Sequence, residues 1–359
     1  MTALTPHQYI ERSTGRVETE TLYADRLVNA LYAAERERPS RLFNLLISAR
    51  ISRLLAWNTY DAAIGSRIAR AGRFHRELGI DLTECLDPPH EIDTARKIFE
   101  RKIRYWETRP MPDNPDVVVS PADARVLVGS FSRTSQLFIK EKFFDYEELI
   151  SPHKPIWLSA FRGGDVAVFR LTPDKYHYNH TPVAGRVVDI YEIAGDYHPC
   201  NPGALMATSA SFSKNRRIVT VIDTDVPGGS RVGLAAMIEV AALMIGDIVQ
   251  CYSDTRYDAP RNVAPGMFLK KGMPKSLYRP GSSTDVLVFE PARIVFSEDI
   301  LENLHRQGVQ TRFSEGFGRP LVETEVRVRQ EIGRRKPATI GAVRRPVRNT
   351  AGKARIALT

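Results

Sequence analysis

The sequence predicts an α+β fold in which a helical N-terminal region precedes a β-dominated domain and a basic, disordered tail. Three observations lead to this prediction. Leucines recur at helical spacing in the first third, short β-rich runs separated by Gly and Pro begin near residue 116, and basic residues accumulate after residue 326. We therefore expect three parts, which comprise residues 1–115, residues 116–326 and residues 327–359.

The composition is that of an ordinary globular protein, with 43% hydrophobic and 26% charged residues. The best candidate for a membrane span, Leu42 to Trp57, is interrupted by Arg50 and Arg53. Residues 1–20 lack the apolar centre of a secretory signal. These features predict a cytoplasmic protein that is either soluble or bound to a membrane surface.

The N-terminal region is expected to contain three helices. Leu22, Leu27 and Leu31 indicate the first, and a third runs from about Ile92 to Trp106. The second, Arg41 to Trp57, combines an apolar side with several arginines. Such a helix either packs on its own domain or lies in the lipid interface, and the sequence leaves both interpretations open.

The middle domain begins with a change to short β-rich runs. One apolar stretch rich in Ala and Met, Val232 to Val249, is instead predicted to be a buried helix. The predicted strands are Val117–Val119, Val166–Leu171, Val187–Ile193, Ile218–Ile222 and Val286–Phe289.

The basic residues of the C-terminal tail account for the whole formal net charge of +9, since ten Arg and Lys stand against Glu331 after residue 326. A tail with so few apolar residues is predicted to be disordered, which argues against a folded nucleic-acid-binding surface. It either improves solubility or attracts anionic lipid. Cys85, Cys200 and Cys251 are odd in number and widely spaced, so we expect reduced thiols.

Three polar segments interrupt the apolar runs: Ser120–Asp123, Tyr176–His180 and Gly281–Thr284. Together they supply a carboxylate, two imidazoles and hydroxyls, the parts of an activated serine nucleophile. The same residues leave open a serine hydrolase, or a metal site built from the two histidines and Asp123. Histidines in the core or at the surface, without chemistry, are the simplest alternative.

The residues of these segments, and the order of the segments along the chain, resemble those of the phosphatidylserine decarboxylase family. Val119–Asp123 is similar to the family segment V-S-P-A-D-G, and Phe169–Pro173 leads into His177 and His180 as the family's histidine segment does. Lys214–Arg217 is similar to its N-E-R segment. The resemblance extends over about residues 95–292. Ala124 and Glu141 stand where the family has glycine.

The serine that corresponds to the family's reactive serine is assigned from its spacing to flanking residues. Gly272 lies nine residues before Gly281, and Phe289 lies six residues after Ser283. Both spacings agree with the longer family variant G-G-S-T, which makes Ser283 the reactive residue. Ser282 remains the alternative, since cleavage after Gly281 preserves a Gly-Ser junction.

The resemblance implies a proenzyme that cleaves its own chain between Ser282 and Ser283. Asp123 would orient His180, which would deprotonate Ser283, and residue 283 would become a covalent pyruvoyl cofactor. His177 would contact the substrate carboxylate or protonate its Cα, with His180 the alternative donor. No metal is implied.

The implied substrate is phosphatidylserine, converted to phosphatidylethanolamine and CO2 at the inner face of an anionic membrane. A pyruvoyl-dependent decarboxylase of a soluble aromatic amino acid is the alternative within the family. A non-enzymatic membrane-binding module would need only the amphipathic helix and the tail. The oligomeric state is open, and includes a homodimer of processed heterodimers.

Overall fold

The computed structural model describes most of residues 5–337, with gaps between the described ranges. Several predicted features lie outside those ranges: the helix from Arg41 to Trp57, Leu27, Leu31, Glu141, Gly281, Ser282 and the tail beyond residue 337. The described ranges are 5–22, 75–76, 78–132, 143–198, 200–207, 211–242, 247–280 and 283–337.

Strands dominate the described residues, which confirms the predicted β-rich α+β class. In chain order the strands are β1 (Gln8–Glu11), β2 (Arg16–Thr19), β3 (Val117–Val119), β4 (Ala124–Ser130), β5 (Asp165–Leu171), β6 (Tyr178–His180), β7 (Gly185–Ile193), β8 (Arg217–Asp223), β9 (Leu234–Ala241), β10 (Ile248–Gln250), β11 (Phe268–Leu269), β12 (Pro274–Tyr278), β13 (Ser283–Phe289), β14 (Ile294–Phe296), β15 (Glu323–Val326) and β16 (Glu331–Arg335).

The helices are short and lie between the strands. They are α1 (Ala95–Phe99), α2 (Tyr105–Thr108), α3 (Tyr146–Ile150), α4 (Pro155–Ala160), α5 (Pro202–Ala207), α6 (Ser211–Lys214), α7 (Glu298–Leu304) and α8 (Arg312–Phe317), with a 3₁₀ turn at Leu82–Glu84. Within the described ranges, no helix is both long and apolar enough to cross a membrane.

A ten-stranded sheet forms the centre of the molecule, in the order β11-β7-β8-β9-β13-β5-β4-β15-β1-β2. Every described pairing in it is antiparallel except that of β1 with β15. Strand β13 is therefore held on both sides, by β5 and by β9. Its apolar residues, such as Val286 and Val288, are fully buried in the main core.

Two three-stranded sheets accompany the large one, in the orders β10-β12-β6 and β14-β16-β3. The five strands predicted from the sequence all form, as β3, β5, β7, β8 and β13. Alternating or continuous apolar residues with turn residues at both ends are a reliable strand pattern, and here the tertiary structure agrees with it.

The helix predicted from Val232 to Val249 is wrong, because this stretch forms β9 and, after a break, β10. Strand β9 lies between β8 and β13, and most of its residues are buried. A strand covered on both faces is apolar throughout, so hydrophobicity does not distinguish it from a buried helix.

The continuous helix predicted from Ile92 to Trp106 is also wrong, since two short helices, α1 and α2, form instead. Between them the hydroxyl of Tyr257 accepts a hydrogen bond from the Ile103 N–H at 3.1 Å and contacts its carbonyl at 2.9 Å. Ile103 also forms a β-bridge with Cys85. These long-range contacts replace the helical hydrogen bonds of residue 103.

Strands from both predicted end segments pair with strands of the predicted middle domain. In the first part, β1 and β2 form a hairpin, and β1 adds to the large sheet through β15, with Ile10 fully buried. At the other end, β16 pairs with β3 and β14 within the predicted tail. The fold therefore extends at least to residue 337, because strand pairing with the body compensates for the low apolar content of this segment.

Candidate active site

Ser283 is the first residue of β13, opposite Leu171 of β5 and Ala241 of β9. Its side chain is fully buried, and its Oγ has no hydrogen-bond partner among the described residues. Since successive side chains of a strand point to opposite faces, Ser283 and Asp285 share one face of the sheet and Thr284 lies on the other. The position of Ser283 is thus fixed by two neighbouring strands.

The two histidines lie on or next to β6, which pairs with β12, the strand that precedes β13 and Ser283. The N–H of His180 donates to the carbonyl of Pro121 at 2.7 Å, and the N–H of Tyr278 donates to the carbonyl of His177 at 3.0 Å. The first contact joins β6 to the Ser120–Asp123 turn and the second joins it to β12. The fold therefore brings the three polar segments of the sequence into one region.

The ring of His180 is held at both nitrogens. Nδ1 lies 2.9 Å from the carbonyl oxygen of Gly272, and Nε2 lies 3.0 Å from the hydroxyl of Tyr176. A carbonyl only accepts hydrogen bonds, so Nδ1 carries the proton and Nε2 is the basic nitrogen. Burial lowers the pKa of His180 to about 3, so the ring is neutral at pH 7.

The carbonyl of Gly272 orients His180, the role that the sequence analysis expected of Asp123. Gly272 has a φ of 73°, in the left-handed region that favours glycine. Its N–H donates to the carbonyl of Thr181 at 2.8 Å. The residue whose carbonyl accepts the Nδ1 proton thus has a backbone conformation that favours glycine.

Asp123 binds a different group from the one expected. Its carboxylate accepts hydrogen bonds from Nη2 of Arg109 and from the N–H of Val328, both at 2.8 Å. Burial by itself would raise the pKa of Asp123, but the charge of Arg109 outweighs it and holds the pKa below its usual value. The predicted direct contact between Asp123 and His180 is therefore replaced by an ion pair and a backbone contact.

His177 is fully buried, and neither of its ring nitrogens has a hydrogen-bond partner among the described residues. The ring packs on Phe99 at a centroid distance of 4.7 Å. Burial, followed by the positive charge of Arg101, lowers the pKa of His177 to about 3. A buried polar group without a partner costs about 1–3 kcal/mol, so such exceptions often mark functional residues.

A buried charged cluster on the face of Ser283 was missed by the sequence analysis. Asp285 lies opposite Glu239 across β13 and β9, and Lys275 of β12 is 2.8 Å from Glu239. All three side chains are fully buried. The signal was present, since Glu239 and Asp285 are charges within otherwise apolar strands, but a wrong helix assignment hid the position of Glu239.

Several buried polar atoms on β13 and on or next to β6 have no hydrogen-bond partner among the described residues. Within the described part of the chain, they include Oγ of Ser283, Oδ2 of Asp285, Oγ1 of Thr284 and Oδ1 of Asn179, in addition to both nitrogens of His177. A groove of about 490 Å³ is lined in part by Gln250, whose side chain binds both Glu239 and Lys275. The groove thus reaches the edge of the charged cluster.

The metal site considered from the sequence gains no support. Within the described ranges, the one cluster with metal-ligand geometry is His7, Glu20 and Glu323, not His177, His180 and Asp123. Arg170 already binds the carboxylates of Glu20 and Glu323 at 2.6 Å each. The guanidinium supplies the positive charge that a metal would otherwise bring.

Comparison with known proteins assigns this arrangement to a family. The family model for phosphatidylserine decarboxylase matches residues 95–319. The chain belongs to the phosphatidylserine decarboxylase family. This confirms the family expected from the motifs and, with it, the expected class of enzyme, a phosphatidylserine decarboxylase-like carboxy-lyase.

Individual relatives agree with the family model. The chain is 29% identical over 331 residues to the phosphatidylserine decarboxylase proenzyme of Chlamydia trachomatis serovar L2, covering 91% of this chain and 97% of that protein. The proenzyme of Fusobacterium nucleatum is 28% identical, with 87% and 97% covered. Proenzyme 3 of Schizosaccharomyces pombe is 28% identical over 91% of this chain but only 31% of its own length.

Proposed function

We propose that this chain is a proenzyme that cleaves itself between Ser282 and Ser283 and then converts phosphatidylserine to phosphatidylethanolamine and CO2. The observation that carries the proposal is the family match over residues 95–319, which includes the reactive segment. The relatives are themselves named proenzymes. They lend no support to a serine hydrolase or to a decarboxylase of soluble amino acids.

Self-cleavage would begin when Oγ of Ser283 attacks the carbonyl carbon of Ser282 and a base accepts the hydroxyl proton. The peptide nitrogen leaves as the amine of residue 283, and an ester joins the two serines. β-Elimination breaks this ester, giving a carboxylate on Ser282 and dehydroalanine at residue 283. Hydrolysis of the dehydroalanine consumes water and releases ammonia, and the pyruvoyl group remains.

His180 is the proposed base. Its Nδ1 proton is held by the Gly272 carbonyl, so Nε2 accepts the serine proton, either directly or through the hydroxyl of Tyr176. The neutral ring at pH 7 is the form that can accept a proton. Ser282 is the alternative nucleophile and lies outside the described residues.

Asp123 is proposed to act on His180 indirectly. It fixes the turn whose Pro121 carbonyl binds the N–H of His180. The Arg109 and Val328 contacts hold the carboxylate in that turn. Its negative charge also raises the pKa of His180 against the effect of burial, which favours the protonated ring formed during cleavage.

The position of Ser283 fits a covalent pyruvoyl group, because its unpartnered Oγ lies at the end of a strand held on both sides. A pyruvoyl carbonyl supplies an acceptor for the electron pair released with CO2. His177 is the proposed partner of the substrate, since neither of its ring nitrogens has a hydrogen-bond partner among the described residues. It would bind the substrate carboxylate or donate a proton to Cα, with His180 the alternative donor.

The proposed place of action is the surface of an anionic membrane on its inner face. Phosphatidylserine carries a net negative headgroup, and each basic residue near such a surface contributes about 1 kcal/mol of attraction. The helix from Arg41 to Trp57 and the basic tail are the proposed contacts, and both lie outside the described residues.

The intact mass of the purified, active protein tests the proposal. We expect two chains, residues 1–282 and residues 283–359, with a blocked and reducible N-terminus on the smaller one. A single chain of 40.4 kDa in active preparations would overturn it. Cleavage one residue earlier would move the cofactor to Ser282.

A further inference from the structure

Strands β12 and β13 lie on different chains once the proposed cleavage has occurred, and the inference below rests on that proposed function. Strand β12 ends at Tyr278 in the large chain, whereas β13 begins at Ser283 in the small chain. Cleavage leaves residue 283 at a free chain end. Chain ends fray unless specific contacts hold them, so an active pyruvoyl residue requires such contacts.

The hydroxyl of Tyr278 makes three contacts, one with β9 and two with residues at the beginning of β13. It accepts a hydrogen bond from the N–H of Val240 at 3.1 Å. It also lies 2.9 Å from the carbonyl oxygen of Thr284 and 2.7 Å from Oδ1 of Asp285. Tyr278 is fully buried, so water does not replace these partners. The large chain thus binds the two residues that follow the reactive serine.

The number of protons available for the three contacts of Tyr278 indicates the protonation state of Asp285. A phenol has one proton to donate and can accept two hydrogen bonds. If Asp285 is ionised, Thr284 and Asp285 compete for the single proton of Tyr278. If Oδ1 of Asp285 carries a proton, it donates to the tyrosine oxygen, and the tyrosine donates to the Thr284 carbonyl. Every short contact is then a satisfied hydrogen bond.

The groups around Asp285 also favour its protonated form. Glu239 faces it from β9, Lys275 and Tyr278 face it from β12, and the uncharged Phe169 lies opposite on β5. The single positive charge of Lys275 is already paired with Glu239. Burial and then the neighbouring Glu239 raise the pKa of Asp285 well above its usual value.

We propose that protonated Asp285 and Tyr278 form a clamp that holds the pyruvoyl end of the small chain on the large chain. Both are positioning residues, because they act through the backbone of Thr284. The clamp contributes little before cleavage, when residues 279–282 still link the two strands covalently. It becomes necessary afterwards, when the position of residue 283 determines decarboxylation.

Three variants and one control test the clamp. Tyr278→Phe removes the hydroxyl, Asp285→Leu removes the donor, and Asp285→Asn keeps an N–H donor that cannot ionise. Tyr146→Phe is the matched control, since its hydroxyl donates to the Leu158 carbonyl at 2.7 Å, outside the candidate site. Each variant is examined for cleavage by intact mass, for decarboxylation between pH 6 and pH 10, and for release of the small chain in urea.

We expect all four variants to be cleaved. Loss of a buried hydrogen bond of this kind should lower kcat about tenfold in Tyr278→Phe and Asp285→Leu. The small chain of both variants should also be released at a lower urea concentration than that of the wild type. Asp285→Asn should stay within about twofold of the wild type at neutral pH, and its activity should not decline at a lower pH than that of the wild type, because its side chain cannot ionise.

The possible results separate the clamp from the proposed function. A wild-type chain that remains uncleaved overturns both. A cleaved wild type, together with Tyr278→Phe and Asp285→Leu variants that behave like Tyr146→Phe, overturns the clamp alone. So does an Asp285→Asn variant that is as impaired as Asp285→Leu, or that loses activity at a lower pH than the wild type.

Discussion

Nη2 of Arg109 donates to Oδ2 of Asp123 over 2.8 Å, and both side chains are more than nine-tenths buried. The carboxylate that a Ser-His-Asp pattern would assign to the histidine is therefore neutralised by arginine. Asp123 instead stabilises a turn that binds His180 through the backbone. Its contribution to chemistry should be inseparable from its contribution to local structure.

Replacement of Asp123 by Ala should both destabilise the protein and block cleavage. Removing one partner of a buried ion pair costs about 3–5 kcal/mol, although Glu84 still binds Arg109 at 2.8 Å and should reduce the cost toward the lower value. Urea unfolding and intact mass measure the two effects. Glu84→Gln is the control, and it should remain cleaved. Normal cleavage in Asp123→Ala would remove this residue from the proposed role.

The two histidines should separate cleavage from decarboxylation. His180→Ala should yield a folded, uncleaved chain of 40.4 kDa, because the proposed base is lost. His177→Ala should be cleaved but should lose about 10²-fold or more in decarboxylation, the usual effect of removing an acid-base group. The exposed His153→Ala serves as a control for both assays. Equal loss of cleavage in both variants would argue against the division of roles.

Stability should decrease as the pH falls below about 6.5, the ordinary pKa of histidine. His177 and His180 have folded-state pKa values of about 3, so the unfolded chain binds more protons in this range. Each histidine then contributes about 1.4 kcal/mol per pH unit to the loss. Urea unfolding at pH 7 and pH 5 should show a smaller change in His177→Gln than in the wild type. Equal changes would mean that His177 is not buried in its neutral form.

The buried pair of Lys275 and Glu239 should show strong coupling. Lys275→Met leaves an uncompensated buried carboxylate and should cost about 3–5 kcal/mol, whereas adding Glu239→Gln should restore much of that stability. The exposed pair of Arg261 and Asp254, at 3.0 Å, provides the control cycle and should couple by less than about 1 kcal/mol. Additive effects at the buried pair would contradict its description as a compensated ion pair.

The tail should be tested by truncation after Pro337, since β16 belongs to the fold and truncation after Val326 would remove it. The shortened chain lacks five basic residues: Arg344, Arg345, Arg348, Lys353 and Arg355. It should sediment less with phosphatidylserine vesicles than the full chain, and the difference should shrink in high salt because salt screens exposed charges. Unchanged preference for anionic over neutral vesicles would exclude the tail as a membrane contact.

Local sequence determined much of this protein. The strands β3, β5, β7, β8 and β13 follow from apolar runs between turn residues, and the family follows from four short segments in the expected order. Both depend on residues close together in the chain. The segments that contain Asp123, His180 and Ser283 could therefore be identified before their geometry was known.

The tertiary structure decided which group each of these residues contacts. The Gly272 carbonyl holds His180, Arg109 holds Asp123, and Tyr278 binds Asp285, through contacts that no helical or strand periodicity encodes. The same holds for β9, which an apolar composition could not distinguish from a helix, and for β16, whose pairing outweighs its polar composition. Periodicity reports only which side of an element is buried, whereas the partner of a buried polar group depends on how distant strands come together.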